Sequence, residues 1–248
     1  MEEWINKLKD TFNLCFVEGD KWKWLVEGLK NTMIITVFAL LIGIVLGLVI
    51  AAVRSTYDMN GAAMKKKGGP SYVFLKIGNM ICNLFLTVIR GTPVVVQLLI
   101  MYFIILINIT DGVLVAVIAF GINSGAYVAE IFRSGIMSID EGQFEAGRSL
   151  GFNYVQTMLY IIIPQAIKVV LPTLFNELIV LIKETSVAGY VGVMDLTKAG
   201  DKIRGRTFEP FLPLFAVALI YLVVVIILTR LLRLLEKRLR KGERRGAQ

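Results

Sequence analysis

The chain has 248 residues, 56% of them hydrophobic and only 19% charged, a balance too apolar for an ordinary soluble domain. Its net charge of +8 and pI near 9.5 raise nucleic acid as a partner, but the basic residues sit at the ends of apolar runs. That is the charge pattern of a membrane protein, so lipid is the expected partner and nucleic acid is not. There is no histidine, which argues against histidine-based catalysis, metal clusters and proton relays. Cys15 and Cys82 lie far apart without metal-like spacing and read as unpaired. No catalytic residue and no metal site is expected.

Residues 1–31 carry five Lys/Arg and six Asp/Glu and no apolar core, so no cleavable signal peptide is evident. Trp22 and Trp24 precede the first span as an aromatic belt would. Met33 to Val53 is 21 residues without a charge. At 1.5 Å per residue it reaches roughly 31 Å, enough to cross a bilayer. Gly43 and Gly47 form a G-x-x-x-G pair that allows close helix packing.

Residues 54–76 hold five Lys/Arg against Asp58 alone, which makes this loop cytoplasmic. Ile77 to Ile109 is too long for one straight span, and Arg90-Gly91-Thr92-Pro93 divides it. The expectation is a helix over 72–90 on or near the cytoplasmic face, then a second span capped by Thr92 with Pro93 in its first turn. Arg90 snorkels to the headgroups. Asp111 and Gly112 make a tight outside turn. The third span covers about 113–131, with Glu130 and Arg133 three apart on one face. Their plain role is an ion pair at the helix end; their sharper role is part of a gate.

Between the third and fourth spans lies a polar, helix-forming insert, residues 138–164. Ser138 and Glu141 have capping-box spacing, so a helix is expected to start there. Gly151 falls where a helix ends in the left-handed region, and Asn153 can cap a second short helix. Pro164 interrupts that helix or whatever follows it. Phe144, Leu150 and Phe152 are apolar among polar neighbours, as in a knob offered to a partner or in a plain interfacial helix. The fourth span, about 167–182, is short and polar. Glu177 lies within it, and a carboxylate at that depth must face a cavity or a partner. Gly189 and Gly192 suggest a broken helix after it. The fifth span covers about 211–228, and the tail from Arg230 carries eight Lys/Arg against two acids. Together these predict an all-α, polytopic bundle of five transmembrane helices. Its parts are an extracytoplasmic segment 1–31, a membrane domain 32–229 with the insert 138–164 in the cytoplasm, and a basic cytoplasmic tail 230–248.

The insert resembles a known family. Glu145-Ala146-Gly147, Gly151, Ile161, Ile163 and Pro164 are similar to the EAA loop of the permease subunits of bacterial ABC importers. The pattern runs E-A-A, three residues, G, nine residues, I, one residue, L, P. The departures are Gly147 for alanine and Ile163 for leucine. Arg90 to Leu98, RGTPVVVQL, resembles the R-[GS]-T-P-x-x-V-Q-L signature of the polar amino-acid branch. The segment from Ser124 to Gly135 and Lys183-Glu184-Thr185-Ser186 are similar to two further signatures of that branch.

The resemblance implies a type I importer permease in a bacterial inner (plasma) membrane, with its N-terminus outside. It implies a second permease copy or paralogue, a separate ATPase that binds ATP and Mg, an extracytoplasmic amino-acid-binding protein, and a polar amino acid as substrate. This chain has no G-x-x-x-x-G-K-[ST] loop and no cofactor of its own is expected. Coupling to the ATPase falls on Phe144, Glu145, Ala146, Gly147, Gly151, Phe152 and Pro164. Substrate-binding candidates are Asn123, Ser124, Glu177, Thr185 and Ser186, chosen because an ammonium and a carboxylate in a dry cavity both need partners. Glu177 has a second, structural reading, bonded to Asn176, Gln165 or the partner permease. The rival function is an ion- or proton-coupled secondary amino-acid transporter, which an intramembrane Glu177 also fits.

Overall fold

The structure is a computed structural model and describes residues 1–246. It is 89% helical, with no strand among the described residues. The helices are α1 (Glu2–Phe12), α2 (Trp22–Lys67), α3 (Pro70–Gly91), α4 (Val94–Ile100) and α5 (Gly112–Met137). They continue with α6 (Glu141–Ser149), α7 (Tyr154–Thr157), α8 (Ile163–Glu184), α9 (Leu196–Thr207) and α10 (Phe211–Gly246). Among the described residues, five helical stretches are long and apolar enough to span: Trp22–Lys67, Pro70–Gly91, Gly112–Met137, Tyr154–Val191 and Phe211–Leu239.

The number of membrane-length helices matches the expectation, but their limits do not. The helix expected over 33–53 runs from Trp22 to Lys67, because nothing between Arg54 and Lys67 breaks it. Only Gly68 and Gly69, at φ 66° and 104°, with Pro70 at the start of α3, turn the chain. The basic segment is therefore largely helix and not loop. The helix expected at the membrane face, 72–90, is α3, whose 22 residues are themselves of spanning length. The segment after Pro93 is a shorter apolar helix, Val94–Ile105, closed by a wide turn from Met101 to Ile105. The tail from Arg230 continues α10 to Gly246, and its last two residues lie outside the described residues.

The chain folds into two compact units. The first comprises Met1–Ala39, Val94–Phe120 and Ile179–Arg230. Its core joins Cys15, Phe16, Leu25, Leu196, Ala199, Ile203 and Val217. Asp195 caps α9 by accepting from the Thr197 and Lys198 amides. The Thr32 hydroxyl accepts from the Leu196 amide, and the Asn31 side-chain amide donates to the Met194 carbonyl. Gly28 has no room for a Cβ, which would stand 2.6 Å from the Asp195 carbonyl oxygen.

The second unit comprises Leu40–Pro93, Gly121–Leu178 and Leu231–Gln248. Here α2 and α5 cross through glycines on both sides. A Cβ on Gly47 would stand 2.6 Å from Val128, and one on Gly121 would stand 2.8 Å from Ile42. In the G-x-x-x-G pair of α2, Gly43 faces Ser124 and Gly125 and Gly47 faces Val128 and Ala129, so the two backbones approach closely at the crossing. That crossing sets the level of Ser124 and Glu130 on α5.

Candidate functional site

The second unit holds all of the predicted coupling residues and most of the predicted binding residues. The coupling elbow is built by local rules. Helix α6 begins one residue after Asp140, whose carboxylate accepts from the Gly142 amide at 2.7 Å. The expected cap, Ser138, instead donates to the Gly135 carbonyl. The reason is that α5 extends to Met137, so Ser138 belongs to its final turn, while the carboxylate of Asp140 faces the free amides of α6. The helix closes with Phe152 N–H on the Gly147 carbonyl and Gly151 N–H on the Arg148 carbonyl, with Gly151 at φ 81°. These paired bonds and the left-handed residue make a Schellman ending.

Asn153 then forms a reciprocal capping box with Gln156, so α7 starts where the sequence places it. A wide turn from Met158 to Ile162 follows, one step ahead of exposed Pro164. Pro164 lacks the N–H that the Tyr160 carbonyl would otherwise receive, which favours such a local widening.

Gly147 fits the elbow for a packing reason. A Cβ there would stand 2.7 Å from Thr157 Cγ2 and 3.1 Å from Ile161. The residue that departs from the usual alanine lets α6 lie directly on α7. Glu145, Ala146, Gly151 and Leu150 are exposed, and Phe152 packs its ring 6.2 Å from that of Tyr160. Phe144, Glu145 and Arg148 line a cavity of about 380 Å³ with Asp58, Met59 and Asn60 from the end of α2.

A second cavity, about 570 Å³, opens among α3, α5 and α8. Its walls carry Arg90, Tyr127, Glu130, Arg133, Asn176 and Glu177. Glu177 is 9% exposed, and its carboxylate accepts from the fully buried Ser124 hydroxyl at 3.2 Å. Asn123 is buried beside Ser124 in sequence. Thr185 and Ser186 belong to the first unit, where α8 tightens into a 3-10 turn, Thr185–Val191, ended by left-handed Gly192. The Thr185 hydroxyl is buried and donates to the Ile182 carbonyl of its own helix.

Glu130 and Arg133 pair as expected, at 2.9 Å, but they are two members of a larger cluster. Glu130 also receives Arg54 from α2, with Arg90 from α3 at 3.6 Å, and Arg133 reaches Asp58 at 3.2 Å. The Arg90 guanidinium lies 5.8 Å from the Tyr127 ring centre. Arg54, Asp58, Arg90 and Tyr127 were not among the site candidates read from the sequence. Arg54 is the first charge after a long apolar run and Arg90 stands in its own motif, and those were their only local signals.

Membrane-length helices around a polar cavity, with an exposed capped elbow of alternating polar and apolar residues, describe a polytopic membrane subunit. The chain belongs to the family of binding-protein-dependent transport system inner membrane components, whose model matches residues 68–241. It is 37% identical over 220 residues to the glutamine transport system permease protein GlnP of Escherichia coli K12, covering 87% of this chain and 93% of that protein. The putative glutamine permease GlnP of Rickettsia prowazekii is 34% identical over 219 residues, again covering 87% and 93%.

Among solved structures, an amino acid ABC transporter crystallised with histidines matches at TM-score 0.77 and 37% identity, over 90% of this chain and 98% of that one. The inward-facing MetNI methionine ABC transporter matches at TM-score 0.69 over 86% and 96%, at 18% identity, a likeness of fold alone. The chain is therefore a multi-pass permease with the ABC-importer fold, and the autonomous secondary transporter is set aside.

Proposed function

We propose that this chain is the translocation subunit of an ATP-driven importer of polar amino acids, and that the cavity holding Glu177 lies on the substrate's path. The observation that carries the reading is the pairing of a buried carboxylate, Glu177, with Ser124 in a cavity that also presents guanidinium groups. Such a cavity offers one partner to an ammonium and another to a carboxylate. The names of the relatives support a polar amino acid as the cargo. Glu177 receives the α-ammonium or a cationic side chain, and Asn123 and Ser124 supply neutral donors; Thr185 and Ser186 are separate candidate substrate contacts within the first unit. Glu130 and Arg133 form the charged part of a gate.

ATP and Mg are bound and hydrolysed in a separate subunit. That subunit docks on Phe144, Glu145, Ala146, Gly147, Gly151 and Phe152, with Pro164 fixing the far end of the elbow. The assembly contains a second permease copy or paralogue and an extracytoplasmic binding protein. The N-terminus lies outside and the basic tail inside, because the two most basic segments, 54–76 and the tail, then share the cytoplasmic side.

The test is Glu177→Gln in the reconstituted complex, read by uptake and by ATPase activity together. The expected result is an assembled complex whose ATPase still responds to the binding protein while uptake falls or changes selectivity. Unchanged uptake removes Glu177 from the path, and loss of assembly assigns it a structural role.

A further inference from the structure

We propose that α1 is a membrane-surface helix, lying in the bilayer interface with Trp4, Ile5, Leu8 and Phe12 inserted among the lipids. On a helix of 3.6 residues per turn these four positions fall within an arc of about 100°. Glu2, Glu3, Lys7, Lys9 and Asp10 fill the rest of the circumference, with Asp10 and Glu3 opposite the stripe. The helix buries no residue of its own, and the four apolar side chains are 68%, 50%, 45% and 51% exposed. An apolar stripe of this width on a short helix needs a cover.

The position of α1 identifies that cover. The chain just after it is pinned into the core of the first unit by Cys15 and Phe16, both buried. Cys15 Sγ lies 3.9 Å from the Thr207 hydroxyl, at the last residue of α9. Four residues later Phe211 opens the membrane-length helix α10, and Trp22 opens α2 just after the Gly19 turn. The tether of α1 therefore stands where two membrane helices begin. Large aromatics are exposed at those beginnings: Phe208 and Phe211 next to α10, and Trp22 at α2. Such a girdle marks the level of the lipid headgroups. A helix tied to that level, with its apolar stripe uncovered, has acyl chains within reach.

A soluble binding protein is the weaker occupant. It comes and goes during transport, and each departure would return four large apolar side chains to water. The charges of α1 sum to about −1 from two Lys and three acids, so attraction to anionic headgroups is not the driving force. Insertion should then be the same with and without anionic lipid. The inference is independent of the substrate reading above.

The test uses the full-length permease in nanodiscs of phosphatidylcholine, with and without phosphatidylglycerol. Spin labels at Leu8→Cys and Asp10→Cys report residues about 160° apart, on opposite faces. Collision with oxygen, which partitions into lipid, is compared with collision with a water-soluble nickel chelate. The expected result is a shift toward oxygen at Leu8 and toward nickel at Asp10, unchanged by phosphatidylglycerol. Equal nickel access at both positions places the helix in water and overturns the proposal. A Leu8 label shielded from both reagents places protein over the face and overturns it as well. Should Leu8→Cys fail to fold, Ile5→Cys and Glu3→Cys read the same two faces.

Discussion

The two units differ in how their polar side chains are satisfied. In the first, the buried polar residues are Thr32, Thr36, Thr185 and Asp195. Each has a hydrogen bond to backbone, as a cap or as a donor to its own helix. Such groups have one arrangement and no partner to exchange. The second unit has such a group in Thr157, which donates to the Asn153 carbonyl, but it adds partly exposed side-chain charges paired across helices: Arg54, Arg90 and Arg133 around Glu130, and Asp58 beside Arg133. Ion pairs between helices are the kind of contact that can be exchanged when helices move as rigid bodies, because the guanidinium can instead donate to water and the carboxylate can accept from it. Backbone-satisfied groups stabilise one geometry, whereas side-chain charge clusters can have more than one.

The largest effect is expected where the first unit is tightest. Gly28→Ala places a methyl against the Asp195 carbonyl and Leu196 Cα, backbone atoms that cannot rotate away. A loss of about 3 kcal/mol is expected. It is checked by the thermal midpoint of the purified chain; a wild-type midpoint would show that the unit has slack. Glu130→Gln comes next. It leaves Arg54 and Arg133 without their shared carboxylate, at a cost of roughly 2 kcal/mol. The figure is below that for a fully buried pair because the Glu130 side chain is 26% exposed. Arg54→Met added to Glu130→Gln should recover part of the loss, and a further additive loss would contradict a shared cluster.

Gly151→Val is expected to be milder for stability, about 1–2 kcal/mol, because the strain is local to one left-handed residue. Its transport consequence should be severe: a membrane-inserted permease whose ATPase partner is no longer stimulated by the binding protein. Wild-type transport in that variant would dissociate the elbow from coupling.

The smallest effect concerns pH. Burial holds the Asp195 carboxyl above the usual carboxylate range, against the pull of the Thr197 and Lys198 amides. Between the unfolded and folded values the folded chain holds the extra proton. Stability is therefore highest below the unfolded value and falls as pH rises toward the folded one. The slope is no steeper than about 1.4 kcal/mol per pH unit for one group. Asp195→Asn keeps a cap acceptor and should flatten that part of the midpoint-versus-pH curve. An identical curve in both proteins would show that Asp195 contributes no slope.

Local rules were legible from residue order alone. Gly151 takes a positive φ, Asn153 caps the second short helix, and Gly43 and Gly47 accept a close neighbour, because each depends on residues a few positions apart. Five membrane-length helices followed from hydropathy, since an apolar run long enough to cross a bilayer has few alternatives. Helix ends were less legible. Whether α5 stops before or after Ser138 decides which side chain caps α6, and propensity does not separate the two. The coupling family was readable because its motif is contiguous.

What only the tertiary structure decided is which distant residues meet. Ser124 reaches Glu177 across 53 positions, and Arg54 reaches Glu130 across 76. Those meetings depend on the register of α2, α5 and α8, which is set by glycines such as Gly121 and Gly47 at the crossings. A register is a property of two surfaces packed together, and no stretch of either helix alone contains it.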